Sequence, residues 1–179
     1  MSSNHQTIIM VIRHAEKPTG NIQGVNAQGE NDPESLIVQG WQRAGALARF
    51  FAVPPIPLSV PQFLFAADAE KATSSERPIE TITPLSAKLG LKINTTWKKK
   101  DWSKMTDAAL QAKGVALICW QHDDIPNIAN LIMGQDVAPK WPGSRFDMVW
   151  LFTWDDASKK YKFTQVPQLL LAGDSDKPI

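Results

Sequence analysis

The sequence predicts an α/β domain: a mainly parallel sheet covered by helices on both faces. Three observations predict it. Short uncharged apolar runs, such as Ile8-Ile9-Met10-Val11-Ile12 and Val115-Ala116-Leu117-Ile118-Cys119-Trp120, have the unbroken hydrophobicity of strands buried on both sides. Between the runs lie stretches whose apolar residues recur at the helical period, and such alternation of strand and helix builds parallel sheets. Polar clusters stand at the ends of the runs, where open α/β sheets bind ligands. At 179 residues and 43% hydrophobic, the chain suffices for one domain, 1–179, with a full-sized core.

The first strand is expected over residues 7–12, delivering Arg13 and His14 at its end. Residues 18–34 hold Gly20, Gly24, Gly29, Asn21, Asn26, Asn31 and Pro33 and read as a long loop, expected to wall the pocket beside that strand end. Leu36, Val38, Trp41, Ala44, Leu47, Ala48 and Phe51 give a helix over 36–51, with Ser35 as its expected cap and Gln42, Arg43 and Arg49 on other faces. Four prolines between 52 and 62 exclude regular structure, and Phe63-Leu64-Phe65-Ala66 is a second strand. A serine before Pro78, within Ser74-Ser75, is the expected cap of the next helix, which Pro84 should kink or confine to its first turn. A third strand is expected at 91–95. A helix follows at 101–112, with Ser103 or Thr106 as cap. The fourth strand, 114–120, delivers Gln121-His122-Asp123-Asp124 and leads to a helix ending at Gly134. Residues 147–154 and 161–166 form an antiparallel hairpin around Asp155-Asp156-Ala157-Ser158. The polar tail after Gly173 is expected to be loose.

Charge and composition exclude several classes. Nineteen basic against 18 acidic residues leave a formal net charge of +1, which lacks the footprint of a nucleic-acid binder. Lys98-Lys99-Lys100 reads as a solvated loop. The one cysteine, Cys119, forms no internal disulfide and reads as a buried inert thiol. Three histidines and one thiol argue against zinc. No run approaches the roughly 20 apolar residues of a membrane helix, and no signal peptide is visible. The default expectation is a soluble cytoplasmic protein.

If the strand ends are neighbours, Arg13, His14, Arg77, His122 and Asp123 converge. Two guanidiniums match the oxygens of one phosphoryl group and neutralise most of its charge. A neutral imidazole is a competent nucleophile toward phosphorus near pH 7. Its other ring nitrogen needs a partner, expected in the backbone near Pro18 or Gly20. A second imidazole can donate to the phosphoryl oxygens, and a carboxyl group must protonate the leaving oxygen. Bland readings exist for each: a helix cap for Asp123, an exposed ion pair for Glu16 and Lys17, core or sheet cover for the seven tryptophans. Trp120, beside the second histidine, is a candidate lining residue.

These residues carry a resemblance. Arg13-His14-Ala15-Glu16-Lys17-Pro18 resembles the Arg-His signature of the histidine phosphatases, the phosphoglycerate mutase-like superfamily. In chain order, the helix with Gly40, Arg43, Ala44 and Leu47, the motif Ser74-x-x-Arg77-x-x-x-Thr81, and His122 are similar to successive parts of that pattern. The resemblance implies a three-layer α/β/α sandwich with an antiparallel edge strand. His14 would be the phosphorylated residue, and Arg13, Arg77 and His122 would complete the phosphate pocket. Neither a metal nor an organic cofactor is implied. The chain departs from the pattern at Pro78, where alanine is usual, at Glu80, where glutamine is common, and at Asp123, where the smaller branch has glycine. Asp123 matches the donor position of the acid phosphatase branch, with Asp124 and Asp101 as alternatives. The expected function is a metal-independent phosphohydrolase acting on a phosphorylated small molecule or phosphoprotein, with no nucleic-acid or membrane partner. The alternative is a phosphate-binding domain of the same fold with little or no turnover.

Overall fold

Six strands form one sheet in the order β3-β2-β4-β1-β5-β6 in the computed structural model, which describes residues 8–69 and 75–179. The strands are β1 (Ile8–Arg13), β2 (Phe63–Ala66), β3 (Ile93–Asn94), β4 (Val115–Trp120), β5 (Met148–Asp155) and β6 (Lys160–Pro167). The helices are α1 (Val38–Ala52), α2 (Arg77–Leu89), α3 (Trp102–Gln111) and α4 (Ile125–Met133). β1, β2, β3 and β4 run parallel, and β5 pairs antiparallel with both β1 and β6. The antiparallel part of the sheet is therefore a whole hairpin at one edge, the one expected around residues 155–158.

The apolar strands alternate sides by residue parity. Ile9 and Val11 join Phe65, Ile118 and Trp120 in a core closed by Met105 and Ala109 of α3 and Ile125 and Ile128 of α4. Met10 and Ile12 join Leu64, Leu117 and Cys119 in a second core closed by Leu47 and Phe51 of α1 and Ile82 and Leu85 of α2. Two helices on each face make three layers, as expected. Among the described residues no helix is long and apolar enough to cross a membrane.

Several local expectations are corrected. Ser35 does not cap α1; the cap position is Ile37, without a side-chain bond, and the Ser35 hydroxyl serves Asp32 and Glu80 instead. The cap of α2 is Glu76, not a serine; Ser74 lies outside the described residues, and Ser75 Oγ accepts a bond from Arg77. α2 runs on through Pro84, held by Ile82 and Leu85 in the core. α3 starts from Asp101 after a 3-10 turn at Lys99–Asp101, and Thr106 donates back to the Trp102 carbonyl. Arg43, placed on an outer face of α1 by periodicity, is buried with Ala44 and Leu47. Its guanidinium donates to Glu16 Oε1 at 2.8 Å and to Asp174 Oδ1 at 2.6 Å, so Glu16 pairs with Arg43 and, among the described residues, not with Lys17.

The tail is not loose either. Ser175 N donates to Asp147 Oδ2 at 2.7 Å, Arg145 Nη2 donates to the Lys177 carbonyl at 2.8 Å, and Ile179 N donates to Gln165 Oε1 at 2.7 Å. Tertiary partners in β6 and in the loop leading into β5 capture a segment whose composition alone signals a coil.

Candidate active site

The order β2-β4-β1 places three parallel carboxyl ends side by side. Arg13 ends β1 level with Trp120 of β4, and His14 N continues the ladder to the Trp120 carbonyl at 3.0 Å. His122 follows two residues after β4. The topology thus meets the condition under which the polar clusters converge.

Arg13 is buried, 1% exposed. Its Nη1 donates to the carbonyls of Gly143 at 2.7 Å and Arg145 at 3.0 Å, and its guanidinium carbon lies 3.8 Å from the centre of the Phe146 ring. The loop after α4 therefore fixes one edge of the fork by two carbonyls and its face by a cation–π contact. Nε and Nη2 are buried and have no partner among the described residues. Burial lowers the Arg13 pKa to about 10, with Asp123 and Glu16 opposing the shift, so the group stays charged at neutral pH. A buried cation with open donors is costly unless an anion meets it.

His14 is 4% exposed. Its Nδ1 lies 2.8 Å from the Ala15 carbonyl, which only accepts, so Nδ1 carries the proton and Nε2 keeps its lone pair. The tautomer-fixing partner is thus Ala15, not the backbone near Pro18 or Gly20. Burial, assisted by the charges of Arg13, Arg77 and Lys17, lowers the His14 pKa to about 3. The ring is neutral across the physiological range.

Arg77 opens α2. Nε donates to the Ser35 carbonyl at 3.2 Å, Nη1 to Ser75 Oγ at 3.2 Å, and Nη2 to the Pro33 carbonyl. Glu34 adds a carboxylate 3.7 Å away. The loop expected to wall the site does so by holding this arginine. Glu80, one turn further on, grips the same loop: Ser35 Oγ donates to Oε1 at 2.6 Å and Leu36 N to Oε2 at 2.9 Å. Glutamine could accept only through one oxygen, so the glutamate at this position accounts for both bonds. Burial raises the Glu80 carboxyl, with the bonds from Ser35 and Leu36 opposing it.

His122 Nε2 is 3.3 Å from Asp123 Oδ1; the imidazole is 20% exposed and the carboxylate 65%. Burial and then Arg13 lower the His122 pKa, while Asp123 raises it. Asp123 acts electrostatically on both Arg13 and His122, which sets it at the mouth of the cluster. It is not the helix cap: that position belongs to Asp124, whose carboxyl is raised by burial, with Lys99 and the Trp120 side chain opposing the shift. Asp101 accepts Lys104 Nζ at 3.0 Å instead of entering the cluster. Trp120 lies in the core under α3 and α4 and does not line the site.

Sequence reading missed the floor under Arg13, made by Gly143, Arg145 and Phe146. Two carbonyls and one ring leave no motif. Thr81 was visible only as a motif position; its hydroxyl receives Ala15 N at 2.8 Å and donates to the Arg77 carbonyl at 2.6 Å. Among the described residues no group of three or more His, Cys, Asp or Glu side chains could hold a metal ion.

No protein-family model and no curated protein matches the chain. Solved structures do. The protein histidine phosphatase SixA complexed with tungstate is 9% identical, with 90% of this chain and 97% of that chain covered and a TM-score of 0.55. A mycobacterial glucosyl-3-phosphoglycerate phosphatase complexed with VO3 is 12% identical, with 88% and 96% covered and a TM-score of 0.54. A phosphoserine phosphatase from Entamoeba histolytica, in complex with 3-phosphoglyceric acid, is 12% identical, with 88% and 95% covered and a TM-score of 0.55. The chain has the fold that these phosphatases share, the histidine phosphatase fold implied by Arg13-His14, Arg77 and His122.

Proposed function

We propose that this protein is a phosphohydrolase that works through a phosphohistidine on His14 and needs no metal. One observation carries the reading: a buried Arg13 with two open donor nitrogens beside a neutral His14 whose Nδ1 is held and whose Nε2 keeps its lone pair. In the first step His14 Nε2 attacks phosphorus in line, and the bond between phosphorus and the leaving oxygen breaks. Asp123 gives that oxygen a proton. Arg13, Arg77 and His122 stabilise the equatorial oxygens. In the second step the Asp123 carboxylate takes a proton from water, the water oxygen attacks phosphorus, and the P–N bond breaks to release inorganic phosphate and neutral His14. The substrate is a phosphomonoester of a small molecule or a phosphoprotein. The oxyanions named with two proteins of the same fold, tungstate and VO3, support a phosphate-shaped site here.

The test is aryl-phosphate hydrolysis in EDTA, followed by quenching during turnover. We expect label to survive an alkaline quench on His14 and to vanish in acid. His14→Ala should lose at least about a thousandfold in kcat, as nucleophile removal does elsewhere. Full activity in His14→Ala ends the reading. The exposure of Asp123, 65% at the side chain, favours one second reading, a phosphate-binding domain without turnover. Saturable binding of inorganic phosphate with no product release identifies it.

A further inference from the structure

We propose that Thr81 is a positioning residue that sets the tautomer of His14 and ties it to the turn bearing Arg77. Thr81 is fully buried, a third of the way along α2, and touches neither histidine by any bond described above. Its hydroxyl has one proton and two directions of use. Ala15 N–H can only donate, so at 2.8 Å Thr81 Oγ1 accepts there. The Arg77 carbonyl can only accept, so at 2.6 Å the hydroxyl proton points to it. The polarity of the hydroxyl is therefore decided at both ends.

The Ala15 residue links this hydroxyl to the reacting ring. Its N–H is held by Thr81 and its carbonyl accepts the His14 Nδ1 proton at 2.8 Å. The preceding peptide is fixed on its other side by His14 N, which donates to the Trp120 carbonyl. With Thr81 in place, the Ala15 carbonyl is presented to Nδ1 and Nε2 remains unprotonated. Without the hydroxyl, a buried N–H at Ala15, itself 0% exposed, has no acceptor, and the turn must move to find one. The same loss removes the side-chain bond to the Arg77 carbonyl in the first turn of α2, leaving that carbonyl its helical partner alone. One hydroxyl thus keeps the attacking nitrogen and the second arginine in register.

The expected kinetic effect rests on the phosphohydrolase reading above; the tautomer effect does not. The experiment compares the full-length protein with Thr81→Val, which keeps the shape and removes the hydroxyl, and Thr81→Ser, which restores it. Nitrogen-15 NMR of the His14 ring reads the tautomer directly, and aryl-phosphate hydrolysis reads kcat and KM. We expect wild-type His14 to be protonated at Nδ1 alone, and Thr81→Val to show an Nε2-protonated population. We expect kcat to fall about 10- to 100-fold in Thr81→Val, the scale of a small misplacement of reacting groups, with KM changing less than threefold. Thr81→Ser should recover the Nδ1-protonated form and most of kcat. If Thr81→Val does not fold, Thr81→Ala is read in its place. A wild-type His14 tautomer in the folded Val or Ala protein overturns the proposal, as does a Thr81→Ser protein as disturbed as the Val variant. A wild type that never turns over ends the phosphohydrolase reading and leaves the tautomer result to stand or fall alone.

Discussion

At His14 the fold replaces water with protein. Burial disfavours the imidazolium, and three cationic side chains add to the effect, so the pKa drops from 6.5 to about 3. The consequence for stability has a definite sign. Below pH 6.5 the unfolded chain binds a proton at this residue and the folded chain does not, until pH approaches 3. Stability supplied by neutral His14 is therefore complete above pH 6.5 and is lost as pH falls through that window. The slope is about 1.4 kcal/mol per pH unit, with a total on the order of 5 kcal/mol. Urea unfolding between pH 6 and 4 measures it. His14→Gln, which does not titrate, should show a curve shallower by about that slope; equal slopes would count against a buried neutral ring. The same shift keeps Nε2 unprotonated at pH 7, so the acid limb of the pH–rate profile should belong to groups other than His14.

Among the elements, α1 is set by how closely it approaches the turn after β1. A Cβ on Gly40 would stand 2.5 Å from the Glu16 carbonyl oxygen and 3.1 Å from the Glu16 nitrogen. Both are backbone atoms, so no rotamer change relieves the clash. Ile37 N donates to that same Glu16 carbonyl at 3.1 Å, which pins the start of the helix to the residue two positions past His14. Gly40→Ala should push the helix away, lowering stability by about 1–3 kcal/mol as overpacking does and reducing activity more than stability at a temperature where the protein stays folded. Melting and aryl-phosphate assays on the same sample check both. An alanine variant with wild-type stability would show that the turn yields instead. The hydrophobic stripe of α1 places Leu47 and Phe51 in the core, but the glycine decides how near that stripe comes to the site.

Over the whole molecule, one buried network joins the site turn, α1 and the tail. Arg43 donates to Glu16, Gln168 and Asp174, whose other bonds come from Leu170 N and Leu171 N. Side-chain exposure is 3% for Arg43 and 5% for Asp174, so the pair is shielded from solvent screening. Removing one partner of such a pair leaves a buried charge and costs about 3–5 kcal/mol. Asp174→Ala should lower the unfolding free energy by that amount, read as a lower urea midpoint with an unchanged slope, while Asp176→Ala, on the exposed face of the tail, should stay within about 0.5 kcal/mol. Equal effects of the two variants would mean that Arg43 finds other acceptors. The tail also braces the floor of Arg13, because the Arg145 side chain reaches the Lys177 carbonyl while its own carbonyl receives Arg13 Nη1.

Much of this protein is legible from its residues because local patterns dominate there. Uncharged apolar runs mark β1, β2 and β4, since strands buried on both faces need apolar side chains at every position. The helical period marks α1 and α4, and a turn-rich tetrapeptide marks the hairpin. Arg13, His14, Arg77, His122 and Asp123 were visible as polar residues at the ends of such runs. Helix caps were misread because the Ser35 hydroxyl serves Glu80, 45 residues away, and Ser75 Oγ accepts from the Arg77 side chain instead of a helix N–H. The fates of Arg43, Glu16 and the tail were invisible, since a charged residue in sequence carries no sign of the distant residue that will bury and pair it. By itself the sequence determined the α/β class and pointed to the side chains proposed for a phosphate site. Only the tertiary structure decided the sheet order that brings β1 and β4 together, the carbonyl that holds His14 Nδ1, and the loop that leaves Arg13 Nε and Nη2 open. Those depend on contacts between residues far apart in the chain, which no local period encodes.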